Sequence, residues 1–96
     1  MRVGNGNANT VTIGGTVTAT TPGTVSFGNG NANTLTIGGN LDHDNVVFGS
    51  GSGNTFTVSG DVKNRGSITL GNGGDTGTVV GKVISGSSIT MGSGAD

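Results

Sequence analysis

The chain has 96 residues, a net charge of −1 and only 9% charged side chains, against about 25% in an ordinary globular domain. So little charge excludes an electrostatic footprint for nucleic acid or an anionic membrane surface, and the lack of cysteine excludes disulfide staples. No apolar run approaches the ~20 residues of a membrane span, and 22 glycines with 3% aromatics leave material for one small, thin-cored domain over residues 1–96.

In chain order, the first element is a motif that comes back. Gly4-Asn5-Gly6-Asn7-Ala8-Asn9-Thr10-Val11-Thr12-Ile13-Gly14-Gly15 returns as Gly28-Asn29-Gly30-Asn31-Ala32-Asn33-Thr34-Leu35-Thr36-Ile37-Gly38-Gly39. Looser echoes follow in Ser52–Gly60 and Gly74–Gly81. The units run 4–27, 28–48, 49–70 and 71–91, with 92–96 opening a fifth. Regular recurrence of apolar residues argues against disorder despite the Gly/Asn/Ser/Thr content, and a period of this length marks a stack of short units.

Each unit carries three strand-like pieces. The first is Thr10–Ile13, Thr34–Ile37, Thr55–Val58 and Thr76–Val79; the second centres on Val17, Leu41, Val62 and Val83. The third is Thr24–Phe27, Asn45–Phe48, Ser67–Leu70 and Ser88–Met91. Alternation of polar and β-branched residues predicts half-buried strands, while glycine in every window excludes helix. The expected fold is all-β: a parallel, triangular β-solenoid of about four rungs, with about 21 residues and three short strands in each.

Stacked columns follow from that fold. Val11, Leu35, Phe56 and Gly77 form one, and the missing side chain of Gly77 predicts a small void or a shifted strand. Val3 is expected at the end of the Phe27, Phe48, Leu70 and Met91 column. Asn9, Asn33, Asn54, Asp75 and Asp96 fall at one corner, where stacked side chains can hydrogen-bond along a ladder. The extra residues of the first unit place Pro22 in a bulging loop. On the second face Asp42 precedes Lys63, Asp44 precedes Arg65 and Asp61 precedes Lys82 by one period, which predicts three cross-rung ion pairs.

Chemistry-bearing motifs are few. The Gly-Asn-Gly-Asn-Ala-Asn stretch resembles the nonapeptide repeat of calcium-binding β-rolls, yet its acidic position is Asn9, Asn33 and Asn54 before it becomes Asp75 and Asp96. Calcium needs more oxygen ligands than that, so no cofactor is expected and calcium stays a minor alternative. His43, between Asp42 and Asp44, is the one histidine, too few ligands for a metal centre. No nucleophile–base pair and no pocket-forming mass point to an enzyme, and none is expected.

The threonines offer a surface. Thr10/Thr12, Thr34/Thr36, Thr55/Thr57 and Thr76/Thr78 point outward from the first face, on a grid of ~4.8 Å by ~7 Å. This charge-free arrangement resembles the Thr-x-Thr face of ice-binding β-solenoids, which implies ice, or a glycan surface, as partner. The third face blunts the point with its own pairs, Thr24/Ser26, Ser67/Thr69 and Ser88/Thr90.

Taken whole, the Gly/Asn corners and Thr-x-Thr strands resemble repeats of bacterial surface β-helix proteins, the autotransporter passengers and filamentous-haemagglutinin-type adhesins. The resemblance implies an extracellular or cell-surface stalk, although Met1-Arg2-Val3-Gly4-Asn5 holds no apolar signal core. Uncapped terminal rungs expose backbone groups. The expected function is therefore a structural solenoid that self-associates end to end, strand Thr10–Ile13 of one copy meeting Thr76–Val79 of the next. The alternative is an ice-binding protein.

Overall fold

Short runs of Thr, Val, Ile and Phe become strands because β-branched and aromatic side chains suit a pleated backbone, and Gly/Asn corners end each run. A computed structural model describes residues 1–18 and 23–96; the loop expected around Pro22 lies outside the described residues. The strands are β1 (Arg2–Gly4), β2 (Thr10–Ile13), β3 (Val17–Thr18), β4 (Thr24–Phe27), β5 (Thr34–Ile37) and β6 (Leu41–Asp42). They continue as β7 (Asn45–Val47), β8 (Thr55–Val58), β9 (Val62–Lys63), β10 (Ser67–Thr69), β11 (Thr76–Val79) and β12 (Ser88–Thr90).

Consecutive strands go to different sheets, and each pairs in parallel with its equivalent one turn later. The first face is β2-β5-β8-β11, the second β3-β6-β9, and the third β1-β4-β7-β10-β12. The protein is thus an all-β parallel solenoid of about four turns, three strands to a rung. The registers fall on the expected columns. Val11, Leu35, Phe56 and Gly77 align on the first face, and Val25, Val46, Ile68 and Ile89 on the third. On the second face Val17, Leu41 and Val62 align, but Val83 joins Val62 through an isolated bridge instead of a strand. The last rung has a partner on one side only, and pairing there stops at a single residue.

Inward side chains close a core of Val25, Phe27, Leu35, Ile37, Leu41, Val46, Phe48, Phe56, Val58, Val62, Ile68 and Leu70. Phe27 and Phe48 stack face to face, with ring centroids 4.5 Å apart and planes 3° from parallel. Val3 packs against this core, although β1 meets β4 through an irregularity between Arg2 and Gly4.

The void or strand shift expected at Gly77 does not occur. Gly77 pairs with Phe56 in unbroken register, and the Phe56 ring lies where a Cβ on Gly77 would be. The aromatic side chain of one rung fills the space that the glycine of the next leaves, because close packing rewards any shape that removes a void. Glycine has a different use at the corners. A Cβ on Gly30 would collide with the Gly6 carbonyl oxygen, and one on Gly51 with that of Gly30, so the backbone can stack this closely only where no side chain intervenes.

Candidate functional site

The corner before the first face carries the most ordered polar structure. Backbone N–H groups there point along the solenoid axis and need acceptors. Asn9 N–H donates to Asn33 Oδ1 at 3.0 Å, Asn33 N–H to Asn54 Oδ1 at 3.0 Å, Asn54 N–H to Asp75 Oδ1 at 2.8 Å, and Asp75 N–H to Asp96 Oδ1 at 3.0 Å. The side-chain amides of Asn9, Asn33 and Asn54 turn back to the carbonyls of Gly6, Gly30 and Gly51 at 2.7, 2.9 and 3.0 Å. The ladder expected at this corner therefore exists, but it links side chain to backbone; only Asn9 Nδ2 to Asn33 Oδ1, at 3.0 Å, joins two side chains. Asn33, Asn54 and Asp75 are fully buried. Asp75 has no amide to donate, and its Oδ2 is buried without a hydrogen-bond partner.

Sequence reasoning missed three companion ladders. Asn5 and Asn7 accept the N–H groups of Asn29 and Asn31, whose own Oδ1 atoms accept those of Ser50 and Ser52. After the first face, Thr16 Oγ1, Asn40 Oδ1 and Asp61 Oδ1 accept the N–H groups of Asn40, Asp61 and Lys82. The signal was present: these residues recur at the same spacing as the strands.

The same preference for backbone donors corrects the charge pattern. Asp42 and Lys63 form the ion pair their register predicts, at 3.8 Å between partly exposed groups. Neither Asp44–Arg65 nor Asp61–Lys82 does so among the described residues. Asp44 is 7% exposed, and its Oδ1 accepts the Gly23 N–H. Asp61 Oδ1 takes the Lys82 backbone N–H at 2.8 Å. An unsatisfied backbone donor costs about 1–3 kcal/mol, more than the ~0–1 kcal/mol an exposed ion pair returns, so short carboxylates go to the backbone.

The outward threonines form two straight files. Thr10, Thr34, Thr55 and Thr76 align across the rungs, as do Thr12, Thr36, Thr57 and Thr78. The strands of this face hold no charged residue. No hydrogen bond to protein engages these hydroxyls among the described residues. The third face is less regular. Val47 interrupts its polar file with 37% of its surface exposed, and Ser67 Oγ donates to Asn45 Oδ1 at 2.6 Å.

No family model, no curated protein and no solved structure matches this chain. Its geometry alone classifies it as a parallel β-solenoid. Among the solenoid's described residues no three His, Asp or Glu side chains converge as metal ligands would. His43 instead lines an open cleft at the corner between the second and third faces, with Asn64, Arg65 and Ser85.

Proposed function

We propose that this solenoid is a structural segment of an extracellular surface stalk, and that its two open ends take further rungs. The sequence beyond these residues, or a second copy, would supply them. The observation that supports this reading is the burial of equivalent residues. Leu41 and Val62 are fully buried in the middle rungs, while Val83, in the same column, is 44% exposed. Ile84 at 40% and Val80 at 69% lie on the same terminal rung. Exposed strand edges beside apolar surface favour strand addition.

Negative-stain electron microscopy of the purified chain across a concentration series tests this. Rods of uniform width whose length grows with concentration are expected; single particles at every concentration would remove the self-association reading. Val79→Pro should shorten the rods. Thr76 and Val80 donate their N–H groups to the preceding rung, so by alternation Val79 presents its N–H to the open edge, and proline removes that donor at little internal cost.

A second reading rests on the threonine files. Their register, lack of charge and free hydroxyls suit an ordered water or glycan surface, which makes ice binding the alternative function. Thr34→Lys with Thr55→Lys should abolish ice shaping while leaving rods intact. Wild-type protein that leaves growing ice crystals unshaped would end this reading.

A further inference from the structure

One polar cluster belongs neither to the ladders nor to the threonine files. At the corner between the second and third faces, His43, Asn64 and Ser85 lie one period apart on successive rungs, with φ of 60°, 53° and 57°. Arg65, beside Asn64, also has a positive φ, of 65°. A side chain in the left-handed region costs about 1–2 kcal/mol per residue, and glycine avoids that cost, as Gly86 does on the last rung at φ 75°. The corner therefore keeps side chains where its backbone would prefer none.

Those side chains line an open cleft of about 290 Å³. This approaches the lower end of ordinary small-molecule sites, ~300 Å³. Among the described residues its lining is a guanidinium, an amide, a hydroxyl and an imidazole, with neither carboxylate nor aliphatic side chain. The nearby carboxylates already have partners, Asp42 at the cleft edge itself. Asp44 Oδ1 accepts the Gly23 N–H, and Asp42 holds Lys63 at 3.8 Å and accepts Asn64 Nδ2 at 2.7 Å. Arg65 enters no ion pair among the described residues, which leaves its planar fork of donors to an incoming anion.

We propose that this cleft binds a carboxylate-bearing sugar, a uronic acid, with Arg65 gripping the carboxylate and Asn64 and Ser85 meeting ring hydroxyls. Arginine fits a carboxylate in two-point geometry that lysine cannot copy. The all-polar lining suits a polyhydroxylated body better than an apolar side chain. An open corner gives weak affinity for a single site.

The test is titration of the solenoid with methyl glucuronide, methyl glucoside and acetate, followed by amide NMR spectra. The glucuronide is expected to shift the Asn64, Arg65 and Ser85 amides with a millimolar Kd, and the other two probes to leave them unmoved. Arg65→Gly relieves a left-handed Cβ, so its thermal melt should match or exceed the wild type, while glucuronide affinity falls at least about tenfold. Equal binding of the glucoside would overturn the carboxylate grip, and equal binding of acetate would overturn sugar recognition. Unchanged affinity in a folded Arg65→Gly protein, or no saturable shift with any probe, would overturn the site itself. The spectra are recorded on Val79→Pro protein, which is not expected to build rods, so these outcomes are independent of rod formation.

Discussion

The middle rungs and the terminal rungs are built from the same motif, yet they are physically different places. Leu35 and Phe56 are sealed, while Val11 in the same column is half-buried. Ile68 is sealed, and Ile89, its equivalent, is half-buried. The polar ladder follows the same rule: Asn54 is 1% exposed, and Asn9 keeps part of its surface in water. Burial in a solenoid is a property of having a neighbour on both sides, and repeating the sequence cannot supply it. Stability is then roughly a sum over rungs and their interfaces, with the ends contributing least.

The largest test of that contrast is in the core. Leu35→Ala should cost about 2–5 kcal/mol, because the cavity sits between two rungs that cannot collapse. Val11→Ala should cost roughly 1 kcal/mol or less, since its methyl groups are already half in solvent. Urea unfolding of unassembled protein, below the concentration at which rods form, followed by far-UV circular dichroism measures both, and equal losses would break the distinction.

A smaller gap is expected in the ladder. Asn54→Ala strands the buried Asn33 N–H and Gly51 carbonyl, at about 2–4 kcal/mol for the two. Asn9→Ala loses contacts at an exposed corner, for about 1 kcal/mol or less. Thermal melts of the two variants should separate clearly. The smallest effect belongs to Lys63→Met, which removes the one ion pair among the described residues and should change stability by ~0–1 kcal/mol, fading as salt is added. A larger loss that fades with salt would mean that charges hold rungs together as the ladders do, and a salt-resistant one that the Lys63 stem packs across them.

Repetition made much of this legible in advance. A pattern that recurs with alternating Thr and aliphatic residues has one economical solution, in which each strand lies on its own counterpart, so columns and outward threonines could be read directly. The Asn9, Asn33, Asn54, Asp75 and Asp96 column was legible for the same reason. Asn5, Asn7, Thr16 and Asn40 were as regular, but nothing in a residue list says that an Oδ1 or Oγ1 will meet a backbone N–H one rung away.

Sequence alone determined the period, the three faces and the register, because side-chain alternation and rung spacing leave no freedom there. Tertiary structure decided what each polar side chain does. Asp44 and Asp61 went to backbone donors instead of cations, the Phe56 ring fills the space that Gly77 leaves, and Arg65 faces a cleft with no carboxylate among its described lining residues. Those outcomes turn on differences of a kcal/mol or so between competing partners within reach, and reach is set by the stacked backbone, not by the order of residues along the chain.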